Sequence, residues 1–168
     1  GKGGDMADAK SRLEEIVQEL NARKKAQSRA MREAGGEGGD FSPQEFLASY
    51  GRIVIVIEDI KEWTESFNER DRGIMERICR QARGLGIMVI AAGSRDDIAL
   101  LQASDALTAA ILASGKALGL GGRASAYDFL PGAMDAKEKE ADMAAGDGCL
   151  FDGGQCTRIK LLSAEAGK

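Results

Sequence analysis

Two apolar runs separated by one helix length constrain this chain more than any other feature. They are Arg52-Ile-Val-Ile-Val-Ile-Glu-Asp59 and Arg83-Gly-Leu-Gly-Ile-Met-Val-Ile-Ala-Ala-Gly-Ser-Arg95. Neither alternates apolar with polar residues, so each reads as a strand buried on both faces, the habit of a parallel sheet sandwiched between helices. Residues 61–83 send Trp63, Phe67, Ile74, Ile78 and Ala82 toward one side and read as helix, with Arg72-Gly73 as the dividing point. A strand–helix–strand unit of this kind brings two polar strand ends side by side, where α/β folds place their sites.

The flanking sequence extends the pattern. Residues 5–34 read as one long helix, with Leu13, Ile16, Val17 and Leu20 repeating at three and four between charged positions, and with Asp5 at its start. Gly35-Gly-Glu-Gly-Gly-Asp40 reads as the core of a flexible loop over residues 35–42. Ser42-Pro43-Gln44-Glu45 then has the form of a capping box, which opens a short helix over 43–50. Asp96-Asp97 is placed to cap a helix over 97–104, and residues 109–113 read as a third strand. Gly119-Leu-Gly-Gly122 reads as a turn, and 131–147 as a loop with a charged helical turn. Residues 148–151 and 157–162 form two short strands around the hairpin turn Asp152-Gly-Gly154.

The fold class is therefore α/β. Residues 53–57, 87–92 and 109–113 are expected as neighbouring central strands of one mainly parallel sheet flanked by helices. With 168 residues the chain is long enough for a single domain and short for two. A Gly at position 1 in place of Met, with residues 1–4 as linker, suggests a piece of a longer protein. The net charge of −4 and the lack of a basic cluster disfavour a nucleic-acid partner. No apolar run reaches the roughly 18–20 residues that cross a bilayer. Cys79, Cys149 and Cys156 stand in a chain without histidine, so they read as small buried residues or surface thiols rather than zinc ligands.

The chemistry-bearing candidates sit at the two strand ends. Glu58 and Asp59 form an acidic pair of the Walker B kind, in which one carboxylate holds a magnesium shell and the next orients the attacking water. Gly93, Ser94 and Arg95 end the second run, and Arg95 is expected to pair with Glu58 and Asp59. No Gly-x-x-x-x-Gly-Lys-Ser/Thr occurs. Gly1-Lys2-Gly3-Gly4 has neither a preceding strand nor a following hydroxyl, so it makes no phosphate cradle.

Arg83, Gly86, Ile87, Ala92 and Arg95 stand in register with the FtsK/SpoIIIE-type pattern Arg-Ala-x-Gly-Ile-His-Leu, then apolar residues, then Ala-Thr-Gln-Arg-Pro. Gly146-Asp-Gly-Cys-Leu-Phe151 resembles the late Gly-x-Gly-Asp-x-Leu strand of that family. The chain thus resembles the second half of an FtsK/SpoIIIE motor domain, which implies a RecA-like, P-loop NTPase-type fold that uses ATP and Mg2+. The departures lie at the nucleotide site. Glu58-Asp59 inverts the family's Asp-Glu, Met88 replaces the histidine, Gly93-Ser94 replaces the Thr-Gln pair that senses the γ-phosphate, and Asp96 replaces the proline.

This combination resembles the terminal, degenerate ATPase modules of EssC-like proteins of type VII secretion. It implies a module that binds nucleotide weakly or not at all. Its partners would be the other ATPase modules of a membrane-anchored parent and a secretion-substrate peptide, on the cytoplasmic side. The alternatives are an active DNA translocase whose phosphate loop lies outside the chain, and an unrelated Rossmann-like interaction domain.

Overall fold

The structure is a computed structural model that describes residues 6–36, 41–130, 132–133, 140 and 142–161. Two compact units divide the chain, Gly1–Ala92 and Gly93–Lys168.

The first unit begins with helix α1, Met6–Gly36, whose stripe buries Leu13 and Leu20. The expected loop therefore starts later, since Gly35 and Gly36 still belong to α1; residues 37–40 lie outside the described set, as do residues 1–5. Helix α2, Pro43–Ala48, is capped as the sequence implies, with the Ser42 side chain accepting from the Glu45 N–H. Strand β1, Ile53–Ile57, leads into α3, Ile60–Ser66, and α4, Glu69–Gln81, which precedes strand β2, Ile87–Ala91.

The helical stretch between the strands breaks at Phe67-Asn68, earlier than Arg72-Gly73. Phe67 and Asn68 are extended, and the Asn68 side chain accepts from the Asp71 N–H at 2.9 Å. An asparagine that satisfies an orphan donor is worth about 1 kcal/mol as a cap. Gly73, inside α4, costs a similar ~1 kcal/mol without ending the helix. α1 packs along α4. Met75, Ile78, Ala82 and Leu85 complete the buried set with Ile57, Ile60, Phe67 and Ile87. Burial of the Cys79 thiol on α4 pushes its pKa up to about 11, which keeps it protonated at neutral pH.

β1 and β2 pair in parallel, Ile53 opposite Ile87 through Ile57 opposite Ala91. That much of the expected sheet is present. The expected burial on both faces is not: Ile57 and Ile87 are buried, while Val54, Val56, Met88 and Ile90 are exposed.

The second unit opens with α5, Arg95–Ser104, and α6, Ala106–Leu112. α5 starts ahead of the expected 97 because Ser94, rather than the aspartates, is its N-cap. Residues 109–113, expected as a central strand, lie mostly in α6. The Asp105 carboxylate accepts from the Thr108 N–H at 2.8 Å and from its hydroxyl at 2.9 Å, which starts a helix whose Leu107, Thr108 and Ala110 are buried. A short apolar run cannot by itself separate strand from buried helix, and here the cap and the three alanines of α6 decide.

Strands β3 (Lys116–Arg123), β4 (Gly132–Ala133), β5 (Asp142–Asp152) and β6 (Gly154–Lys160) form a second sheet in the order β3-β5-β6-β4. Its β3–β5 and β5–β6 pairs are antiparallel, and β4–β6 is parallel. The single, mainly parallel sheet is thus replaced, among the described residues, by a parallel pair and a mixed sheet. The hairpin at Asp152-Gly-Gly154 is where the sequence places it, between longer strands. Of the expected loop 131–147, residues 132–133 are β4 and 142–147 belong to β5, while 131, 134–139 and 141 lie outside the described residues.

Gly119–Gly122 is strand rather than turn. The ring of Tyr127, from the 3-10 turn Ala124–Tyr127, lies against Gly119 so closely that a Cβ there would stand 2.8 Å from it. The pairing register shifts between Leu120 and Gly122, and Gly121 and Gly122 take positive φ. The Tyr127 hydroxyl donates toward the carbonyls of Leu120 and Gly121 across this bulge. Phe151, Cys149, Met143, Leu130 and Ala124 close the core around Tyr127.

Candidate functional site

The parallel register brings the C-terminal ends of β1 and β2 level with each other. The Ala92 N–H donates to the Ile57 carbonyl at 2.9 Å, and the Ile60 N–H donates to the Ala92 carbonyl at 2.8 Å. Glu58 and Asp59 therefore leave the first unit's sheet beside the end of β2. Both are exposed.

Asp59 is committed locally. Its Oδ1 accepts from the Lys61 N–H at 2.9 Å and from the Glu62 N–H at 3.1 Å, which makes it the N-cap of α3. Two of the four orphan donors at that helix start are met by one carboxylate oxygen. The signal is present in the sequence, because Asp59-Ile-Lys-Glu62 has the spacing of a cap with an acid three residues on. Asp59→Ala is expected to destabilise the chain by about 1 kcal/mol, whereas Glu58→Ala stays within about 0.5 kcal/mol as an ordinary surface change. Urea denaturation of the two variants checks the asymmetry, and equal effects would rule out the capping role.

Gly93, Ser94 and Arg95 begin the second unit. The Ser94 hydroxyl accepts from the Asp97 N–H at 3.2 Å and donates to the Asp97 carboxylate at 2.5 Å. Within the second unit Arg95 pairs with its neighbour Asp96, reached through Nε at 2.8 Å and through Nη2 at 2.5 Å. Adjacent residues at a helix start need no chain closure to meet. Such an exposed pair contributes about 0–1 kcal/mol.

A magnesium–nucleotide complex needs carboxylate or hydroxyl oxygens free to meet the metal shell, and converging N–H groups for the phosphates. Several of the described side chains are committed elsewhere within their own units. The Asp59 Oδ1 is taken by the α3 cap, the Ser94 hydroxyl by Asp97, and Arg95 by Asp96. Among the described residues no group of three or more acids and cysteines is placed to hold a metal ion.

A second polar feature was not legible beforehand. Arg23 of α1 is 3% exposed. Its Nη1 donates to the Leu85 carbonyl at 2.8 Å, its Nε donates to Glu19 Oε1 at 2.7 Å, and its guanidinium lies 5.1 Å from the Tyr50 ring centre. An arginine among the charges of a long helix carries no mark that separates it from the solvated ones. Here it ties α1 to the turn that launches β2.

No family model matches the chain, and no curated protein matches it. Solved structures do. The cytoplasmic domain of EssC aligns with 90% of this chain at a TM-score of 0.68 and 21% identity. EssC ATPases 2 and 3 from Geobacillus thermodenitrificans align with 88% at a TM-score of 0.57 and 20% identity. The chain spans 28% and 26% of the length of those two chains. It shares the fold of EssC ATPase domains. No helix among the described residues is long and apolar enough to cross a membrane.

Proposed function

We propose that this chain is an ATPase-like module of an EssC-type, FtsK/SpoIIIE-family motor of type VII secretion, degenerate at its nucleotide site. The reading takes Glu58 and Asp59 as the remnant of a Walker B pair, and Gly93, Ser94 and Arg95 as the remnant of a γ-phosphate sensor. The module acts in assembly, regulation or substrate-peptide docking, beside the other ATPase modules of a membrane-anchored parent and on its cytoplasmic side.

One observation carries the degenerate reading: the carboxylate that would serve the attacking water is the N-cap of α3, bonded to two backbone N–H groups. The inverted order at Glu58-Asp59 adds to this, since a displacement of about 1 Å in a catalytic group costs on the order of a hundredfold in rate. The altered sensor, with Ser94 and Arg95 both engaged by the aspartates that follow them, points the same way.

Titration calorimetry of the chain with Mg-ATP tests the reading. The expected result is no binding tighter than about 10 μM, because the main source of anion contacts is missing. A tighter constant, or turnover near 1 per second as in a modest enzyme, would return the chain to the active class.

A further inference from the structure

Among the described residues, the sheet of the second unit is covered on one face and open on the other. Gly119 of β3 and Cys149 and Phe151 of β5 are buried on the core side, so Leu118, Leu120 and Leu150 point away from it and are 42–51% exposed. Leu118 stands directly opposite Leu150, and Leu120 opposite Gly148. A Cβ on Gly148 would stand 2.8 Å from Leu120 Cδ2 and 3.6 Å from Ile159 Cγ1, so Leu120 of β3 and Ile159 of β6 lean toward each other across the glycine. The apolar strip thus runs unbroken over three strands. Leu161, just beyond β6 and 45% exposed, continues the alternation of Ile159.

Each end of the strip carries an ion pair. Lys116 and Asp152, two positions from Leu118 and Leu150, meet at 3.2 Å, and Arg123 and Asp142, beyond the bulge, also meet at 3.2 Å. Met143 faces the core, so its neighbour Asp142 belongs to the open side. Both cations lie on β3 and both anions on β5. The charge therefore changes sign across the strands, not along them.

We infer that this face is a self-association surface, on which a second copy of the chain packs sheet on sheet. The charge pattern selects the occupant. Turning one copy by a half-turn about an axis that runs along the strands, between β3 and β5, lays each β3 over the partner's β5. Lys116 then faces the partner's Asp152, Arg123 faces the partner's Asp142, and Leu118 faces the partner's Leu150. Each contact occurs twice, as a self-complementary interface requires. A half-turn about an axis across the strands sets Lys116 against the partner's Arg123, and like charges reject it. A helix separates its charge along its own axis. Lying on the strip it would meet both signs at both ends, so the pattern gives it no preferred direction.

Size sets the strength. Four half-exposed leucines and Ile159 offer on the order of 400 Å² of apolar surface. With the two ion pairs and Thr157 around them, the face approaches the ~600 Å² per partner of transient complexes. The pair is accordingly weak and reversible, with its sheets about 10 Å apart and their strands within ~30° of each other.

Sedimentation equilibrium with charge exchange tests this. The weight-average mass of the chain, 17.8 kDa as a monomer, is expected to rise toward twice that value between about 10 and 500 μM. Lys116→Asp and Asp152→Lys should each weaken self-association at least about tenfold, because each sets like charges against each other twice. An equimolar mixture of the two variants restores opposite charges at both contacts, and association should return to within about threefold of the parent. Thermal melting of each variant should stay near that of the parent, since an exposed ion pair holds little of the fold. Arg123→Asp and Asp142→Arg repeat the exchange at the other end of the strip if either first variant fails to melt cooperatively.

A chain that stays monomeric to about 500 μM would overturn the inference. So would association that survives the single charge variants unchanged, or folded variants whose mixture recovers nothing. None of these outcomes bears on the calorimetric test of the nucleotide site.

Discussion

Phe151→Ala is expected to lower the unfolding free energy by about 3–5 kcal/mol, the range for deleting a fully buried aromatic ring. Phe151 has no exposed surface, and it sits among Ala124, Tyr127, Leu130, Met143 and Cys149, with Leu112, Ala117, Phe129 and Cys156 at the margin. These neighbours come from α6, β3, β5, β6 and the 3-10 turn with the residues after it, so no single side chain can move in to fill the space. A loss of that size is a large share of the roughly 5–15 kcal/mol that holds a typical domain together. The measurement is amide exchange across β5 and β6, with urea denaturation for the total. The volume-retaining Phe151→Leu should cost under about 1.5 kcal/mol. If leucine and alanine cost the same, the effect is not a cavity, and the account of this core is wrong.

Arg23→Ala is the second large effect, a loss of about 3 kcal/mol. A hydrogen bond to a charged donor contributes about 1.5–3 kcal/mol. The Tyr50 contact adds about 0.5–2 kcal/mol, and the aliphatic stem contributes packing. The loss should be visible in urea denaturation followed through Trp63, which lies in the same unit. Arg23→Lys is expected to recover less than half, since an ammonium lacks the fork that reaches Glu19 and Leu85 together.

Gly86 provides an internal check. A Cβ at that position would stand 3.0 Å from Arg23 Nη1, on a backbone with φ of +72°. Gly86→Ala should therefore be more costly in the parent than in the Arg23→Ala background, where only the backbone strain remains. Strict additivity of the two changes would mean that Arg23 does not occupy the place described.

Legibility in the sequence followed how local the deciding interaction is. α1, α2, the β1–β2 pair and the β5–β6 hairpin are marked by periodicity, capping residues and turn glycines within a few positions of each other. The end of β1 was legible as a polar strand end. What Asp59 does there was also written locally, in Asp59-Ile-Lys-Glu62, but a catalytic reading of the same acid competes with a capping one, and only geometry separates them. α6 was misread because Ala109–Ala113 is apolar without a period long enough to count; its cap, Asp105, lies upstream and acts through Thr108.

Gly119–Gly122 was misread for a different reason. The glycines are there to admit the Tyr127 ring and to bend β3 at a bulge, and the ring arrives from a later turn. Arg23 was illegible altogether, since Leu85 is 62 positions away. The pairing of Arg95 with Asp96 is local in the same sense as the caps, an opposite charge met at the next position.

The uniformity of β1 and β2 also removes a safeguard against mispairing. In a strand that alternates apolar with polar residues, sliding by one position throws its polar side chains into the core, and the error is rejected at once. Ile-Val-Ile-Val-Ile slid by one against Ile-Met-Val-Ile-Ala puts aliphatic groups where aliphatic groups already were. Alignment of the two strands must then be held by their ends: the Ile53 N–H on the Gly86 carbonyl, the Ala92 N–H on the Ile57 carbonyl, and the Leu85 carbonyl gripped by Arg23. Misalignment in this protein is thus prevented by three fasteners at the borders of a featureless ribbon, and changes at the borders, rather than within the ribbon, are where slipped conformers should arise.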